Sequence, residues 1–497
     1  MTEILEPGKA SQSTLNGTRI VPEQVPTAAP KKRILLNAFD MFTVGHMSHG
    51  QWRNPKDKAS TKRRDLTYWT NLAKLLEKGD INALFLADSY GRIDVYKGSA
   101  ETAMRSGIHW PMGDPAVPIT AMAAVTERLG FAITSSTSFE KPYVLAKRLS
   151  TLDHLTKGRI GWNVVTSFQA SAFKAVGIDQ IPHDLRYEIA DEYLQVLYKL
   201  WESSWADDAL VEDRENENYA DFDKIRTIHH HGKHFKVDAP HILDPSPQRT
   251  PFLFQAGASS AGMDFAARHA EGVFVSAYSP AMLAPRVKEI RAKAAAAGRD
   301  PKSIKIFASL TPIIGATAEE ANEKYQDALK YASPEAGLAF FSGNSGIDLS
   351  QYDLDTEIKP TDDGIDARIQ SIIDTFKYTG TEIPSWTPRN IGKMISLGHN
   401  GHVPVGTPEQ VADKLEEWID VADVDGFNLG YIITPESFED IVNLLVPELR
   451  KRGRYAPLGE SGTMRERVYG AGQSKLRNDH PASKFKWANY KEDVDDS

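Results

Sequence analysis

The chain alternates between two patterns. Short unbroken apolar runs are separated by longer stretches in which apolar residues recur every three or four positions. Eight such runs stand out, at residues 34–40, 83–89, 131–138, 160–166, 251–257, 272–277, 304–314 and 426–433. A strand with one wet face would alternate apolar and polar residues, so an unbroken run reads as a strand buried on both faces. The intervening stretches read as amphipathic helices. Residues 119–129 align Met122, Val125 and Leu129; residues 144–155 align Leu145, Leu149 and Leu152; residues 190–201 carry Tyr193, Val196, Leu197 and Leu200. Residues 281–297, 408–422 and 438–452 repeat the pattern. Eight strand–helix alternations predict an α/β fold, a closed (β/α)8 TIM barrel. No Gly-x-Gly-x-x-Gly follows the first strand, as an open dinucleotide-binding sheet would want.

Two segments break the alternation and predict insertions after strands 4 and 7. Residues 205–250 are polar and then read Thr-Ile-His-His-His-Gly-Lys-His-Phe-Lys-Val, a small hairpin around Gly232. Residues 318–405 are too long for a connection and should hold helices of their own, forming a lid over the site. The expected organisation is a disordered extension over 1–29, one barrel domain over 30–457, and a polar tail over 458–497 that wraps the surface or frays.

Composition narrows the chemistry. The net charge is −9 with no basic block, against a nucleic-acid surface. No apolar run approaches the about 20 residues of a membrane span. The chain has no cysteine, which removes disulfides, thiolate metal sites and cysteine nucleophiles. Residues 1–29 lack the apolar core of a secretory signal, so a cytoplasmic location is expected. Neither a Gly-x-Ser-x-Gly elbow nor a phosphate-binding Walker loop is present.

Several polar positions sit where a barrel places ligands, at the carboxyl ends of strands. Asp88 ends the 83–87 run abruptly. The segment Gln255-Ala-Gly-Ala-Ser-Ser-Ala-Gly262 follows a buried strand, and Ser259 or Ser260 stands where a helix starts. Free N–H groups, the helix dipole and these hydroxyls suit a phosphate, although an ordinary serine N-cap has the same pattern. His183 and Tyr187 are four residues apart on one helix face, with Arg186 one residue off it, and could reach the same phosphate. Thr134, Thr137 and Ser138 belong to a hydroxyl-rich strand end suited to a heteroaromatic ring or ribityl chain. Asn163 is polar within an apolar strand and needs a partner. His46 is the best candidate for a group on the substrate side, since it follows the first strand and can donate or accept near neutral pH. The histidine clusters at 229–231 and at His399 and His402 lack metal-ligand spacing, and the second pair fits a substrate-facing loop better.

Taken together, the segments Asn37-Ala-Phe with His46 and Gly50-x-Trp-Arg, Phe85-x-Ala-Asp, Ser150-Thr-Leu-Asp-His-Leu-Thr-Lys-Gly-Arg-Ile-Gly-Trp-Asn-Val-Val-Thr-Ser167, His183-x-x-x-Tyr187, Gln255-Ala-Gly-Ala-Ser-Ser-Ala-Gly and Asp425-Gly-Phe-Asn resemble the bacterial-luciferase superfamily. The resemblance, over residues 32–455, is to the branch of nitrilotriacetate monooxygenase component A, dibenzothiophene-sulfone monooxygenase and long-chain alkane monooxygenase. It implies a barrel that binds reduced FMN from a separate NAD(P)H:flavin reductase and activates O2 as a flavin C4a-(hydro)peroxide, in a homodimer or homotetramer. It implies that Asp88 contacts the flavin. Thr134 or its neighbours Thr137 and Ser138, with Asn163, would line the ring. His183, Tyr187, Ser259 and Ser260 would hold the ribityl phosphate, and His46 would face the reacting atoms. The substrate would be a small organic molecule, an organosulfur compound cleaved at C–S or an aminopolycarboxylate. A family cysteine three residues before the histidine is Thr43 here, which argues against alkane oxidation. Two readings compete on the same fold: a deazaflavin-dependent oxidoreductase and a non-catalytic flavin-binding barrel.

Overall fold

The computed structural model describes residues 31–257, 259–358 and 386–491. The expected disordered extension, the middle of the 318–405 insertion and the last six residues of the tail lie outside them.

Eight parallel strands close into a barrel in sequential order: β1 (Leu35–Met41), β2 (Ala83–Ala87), β3 (Gly130–Ser136), β4 (Ile160–Val165), β5 (Phe252–Gln255), β6 (Gly272–Val275), β7 (Lys305–Leu310) and β8 (Gly426–Leu429). Each coincides with one of the apolar runs. The period of two along a strand divides the side chains between two layers. Leu84, Leu86, Ile133 and Trp162 face the helices, in one large cluster with Leu145, Leu149, Leu194 and Leu415. Phe85, Ala132, Phe252, Phe254 and Phe307 fill the barrel interior. Each fully buried phenylalanine there contributes roughly 1.5–3 kcal/mol.

The helices that bear on function begin at readable signals. Helix α1 (Leu66–Lys78) is capped by Asp65, and α2 (Pro142–Leu155) opens with proline in its first turn. Helix α3 (His183–Tyr198) follows Pro182 and buries Ala190, Tyr193, Leu194 and Leu197. Helix α4 (Ser260–His269) is capped by Ser259, and α5 (Pro280–Ala296) by Ser279. Between β4 and β5 the chain forms the expected hairpin, Ile228–His231 with Lys236–Ala239, and a second one, Leu210–Asp213 with Asn218–Ala220.

The insertion after β7 carries helices α6 (Ala318–Tyr331), α7 (Pro334–Ser345) and α8 (Pro388–Ile395). Its Leu338, Phe340, Phe341, Ile391 and Ile395 share a separate small core with Ile93, Tyr96 and Ile108 from the β2–β3 connection. That core stands over the strands' carboxyl ends and roofs the barrel mouth. At the opposite end the tail departs from expectation. Met464, 3% exposed, joins the interior cluster from below. Arg465 is fully buried in an ion pair with Glu271 (2.8 Å), and Arg467 donates to the carbonyls of Asp80, Asn82 and Arg128. A polar sequence is buried here because each guanidinium finds an acceptor at the strands' amino ends.

Candidate active site

Under the roof the carboxyl ends of the strands enclose a cavity with two chambers, of about 640 Å³ and about 480 Å³. Phe39, Ala87, Gly257, Asn344 and His399 border both. The first chamber is lined by five residues chosen from the sequence: His46, Asp88, His183, Tyr187 and Ser259. Asn163 lines the second. The other four line neither chamber. Thr134 on β3 lies directly opposite Asn163 on β4, and its hydroxyl accepts from the Asn163 amide at 2.9 Å. Thr137 and Ser138 lie beyond the strand, where their hydroxyls donate to the carbonyls of Val165 and Thr166. These two hold β3 against β4 and do not present hydroxyls to the cavity. Ser260 is the first residue of α4, and its neighbour Ser259 takes the capping role.

One end of the first chamber is shaped for an anion. Ser259 has extended backbone, and its Oγ accepts from the Gly262 N–H at 3.1 Å at the amino end of α4. A side chain at Gly262 would place its Cβ 2.8 Å from the Tyr187 Oη and 3.1 Å from the Ser259 Oγ. The glycine therefore keeps open a recess ringed by two hydroxyls at a positive helix end. Arg186 is the residue the sequence undervalued. It is 6% exposed, lines the same chamber and has no ion-pair partner among the described residues. One guanidinium nitrogen donates to the Ile181 carbonyl (2.9 Å), while its buried Nε has no partner. Burial pulls its pKa down, the mark of a cation that lacks a counter-charge. His183 is half-exposed at the rim and bonds Asp184 at 2.7 Å.

Asp88 lies across the chamber. Burial raises its carboxyl pKa to about 7, with Asp114 and Glu140 adding to the rise and a hydrogen bond from the Ser89 N–H opposing it. Two nearby carbonyl oxygens are also short of partners: Asn163 Oδ1 and Gln255 Oε1 are buried with no donor. Two orphan acceptors beside an open cavity call for a ligand with N–H or O–H groups.

The roof side carries a group of imidazoles the sequence did not connect. The rings of His46 and His109 are 6.0 Å apart, those of His109 and His399 6.0 Å, and those of His399 and His49 5.6 Å. His46 also meets the Phe39 ring edge-on at 4.3 Å. Burial keeps all of them neutral, and repulsion from neighbouring imidazoles adds to it at His46, His49 and His399: His49 falls to about 3, His109 to about 4, and His46 and His399 lie well below the usual value. Among the described residues no three such side chains are arranged to hold a metal ion. His402, paired with His399 in the sequence, stands apart against Trp418. On the hairpin, His229 and His231 bond Asp238 and His230 bonds Glu192. Thr43 is buried, its hydroxyl committed to the Pro111 carbonyl at 2.8 Å.

Comparison with known proteins identifies the family. A dimethyl-sulfide monooxygenase from Hyphomicrobium sulfonivorans is 47% identical over 92% of this chain and 94% of its own. A long-chain alkane monooxygenase from Geobacillus thermodenitrificans is 46% identical over 92% and 98%. Among solved structures, DmoA from Hyphomicrobium sulfonivorans superposes with a TM-score of 0.86 at 47% identity, covering 92% of this chain and 96% of that one. A riboflavin lyase solved with modified FMN and riboflavin gives 0.82 at 36% identity, covering 92% and 100%. Residues 41–423 match the luciferase-like monooxygenase profile, and the chain belongs to that family.

Proposed function

We propose that the chain is the oxygenating component of a two-component system. It takes reduced FMN from a separate NAD(P)H:flavin reductase and uses O2 to oxidise a small organosulfur compound. The supporting observation is the first chamber, where a buried, unpaired Arg186 and the Ser259–Gly262–Tyr187 recess share one cavity with His46. A phosphate ester fits the first group, and the orphan carbonyls of Asn163 and Gln255 fit the donors of a ribityl chain or flavin ring. When bound, reduced flavin supplies two electrons so that one oxygen atom of O2 enters the substrate and the other leaves as water.

The chain's own tasks follow from its residues. Arg186, Ser259 and Tyr187 bind the phosphate and fix the cofactor's position. Asp88, with a pKa about 7, can accept or donate at the cofactor's polar edge. His46 is 1% exposed and neutral, so it offers one N–H donor and one lone pair without adding charge. It is assigned to hold or pass a proton at the reacting oxygen. Phe39, Ile93, Met41 and Phe340 wall this part of the chamber and keep water from it. The organosulfur assignment rests on the 47% identical relative that acts on dimethyl sulfide.

The test is purified protein with reduced FMN, O2 and a panel of sulfides, sulfones, alkanes and aminopolycarboxylates, scored by product mass. Gain of one oxygen or C–S cleavage in the sulfur compounds is expected. Turnover confined to alkanes or aminopolycarboxylates would displace the substrate assignment, and no oxygenated product from any compound would overturn the activity.

A further inference from the structure

The second chamber differs in charge from the first. Among the described residues its lining holds no aspartate or glutamate, and a single arginine, Arg286 on α5. Arg286 has no hydrogen-bond or ion-pair partner among the described residues. On the same helix Arg291 binds Asp423 and Asp425 at 3.1 and 2.9 Å and Lys293 binds Asp264, while Lys288 faces solvent and lines neither chamber. The inner walls are largely apolar, from Phe85, Phe274 and Phe341, with the buried Asn163, Ser309 and Asn428 among them, while Asn344 and Asn400, which line the chamber with Arg286, are exposed at the mouth. Arg286 is absent from the first chamber, and Arg186, Tyr187 and Ser259 are absent from the second. The recess at α4 and the Arg286 mouth are therefore two separate places for negative charge.

We propose that Arg286 is a substrate-recognition residue and that the substrate is an organosulfur anion. Its apolar body fills the inner half of the second chamber and its carboxylate or sulfonate meets the Arg286 guanidinium. This deepens the oxygenase reading above and rests on it. The physical grounds are direct. A planar guanidinium matches a carboxylate through two parallel N–H donors. Apolar walls without a competing acid concentrate its field on whatever enters. An aliphatic thioether with one terminal anion presents the same two halves in the same order.

The experiment compares (butylthio)acetate with butyl ethyl sulfide, which match in length and differ in charge, in the full chain supplied with reduced FMN. Wild type is expected to show a KM about tenfold lower for the anion, the size of one partly solvated charge-assisted contact. Arg286→Met should raise KM for (butylthio)acetate about tenfold, leave butyl ethyl sulfide unchanged, and leave the affinities for FMN and riboflavin unchanged. Arg286→Lys should recover part of the preference. Equal KM values in wild type would overturn the inference, as would equal effects of Arg286→Met on both sulfides. Loss of FMN affinity with riboflavin affinity retained would also overturn it, since Arg286 would then serve the cofactor's phosphate. If wild type oxidises neither sulfide nor any sulfur compound of the wider panel, the oxygenase reading itself fails, a result separable from the others.

Discussion

The two chambers share a wall, yet they are built in different ways. The first is assembled from short segments that each carry several of its residues: 183–187 on α3, 255–262 across the β5–α4 turn, and Ala87–Asp88 at the end of β2. The second takes one run at the end of β6, residues 274–278, and fills the rest of its wall with residues scattered over distant places, including Phe85, Arg286, Ser309, Phe341, Asn400 and Asn428. The difference teaches where constraint lies. The phosphate of FMN would be the same whatever the substrate, so local turns and a helix start can be devoted to it. A substrate varies, and a wall made of isolated side chains from several loops can be changed one position at a time.

The comparison can be broken at several points. The largest effect is expected at His46, which stands next to the shared wall. His46→Ala should lower kcat about a hundredfold, in the range of a lost general acid–base group, while flavin affinity measured by fluorescence titration stays unchanged. A parallel loss of flavin affinity would move His46 into the cofactor site. Next is Arg186. Arg186→Met should weaken FMN binding about a hundredfold and leave riboflavin binding unaltered, because the phosphate would lose its buried counter-charge. Equal losses for both flavins would make Arg186 a structural residue of α3. Ser259→Ala should weaken FMN binding about fivefold. It should also cost about 1 kcal/mol of stability in denaturant unfolding, since the hydroxyl caps α4 as well.

A further test concerns the stability of the roof, which borders both chambers. His49 and His109 titrate near 3 and 4 when folded and near 6.5 when unfolded, so the unfolded chain binds more protons in acid. Their contribution to stability is present above pH 6.5 and is lost as pH falls below it. At pH 5 each imidazole should cost about 2 kcal/mol relative to pH 8. Urea midpoints measured from pH 8 to pH 5 should fall, and His109→Gln should flatten the decline. A flat wild-type profile would mean that the imidazoles are not shielded from water.

Legibility in the sequence followed the range of the interactions. All eight barrel strands were readable because burial on both faces leaves short, predominantly apolar runs, and α4 was readable because Ser259 caps it within three residues. The hydroxyl run of β3 misled, since the strand's period of two and its end at Ser136 send Thr137 and Ser138 to the neighbouring strand's carbonyls. Arg186 looked one residue off the useful helix face. Only the packing of α3 against the barrel turned it inward and left it without an acid. His109 gave no periodic signal, because it sits in an irregular connection with φ of 47°. The tail's arginines read as solvated until the barrel's amino end supplied their acceptors.

By itself the sequence determined the barrel, the family and the serine cap of α4, because each is announced by a pattern of residues near one another in the chain. Only the tertiary structure decided which charges go unpaired. Whether Arg186 and Arg286 meet an aspartate or an open cavity depends on where distant segments bring their carboxylates, and no local pattern of residues encodes that distance.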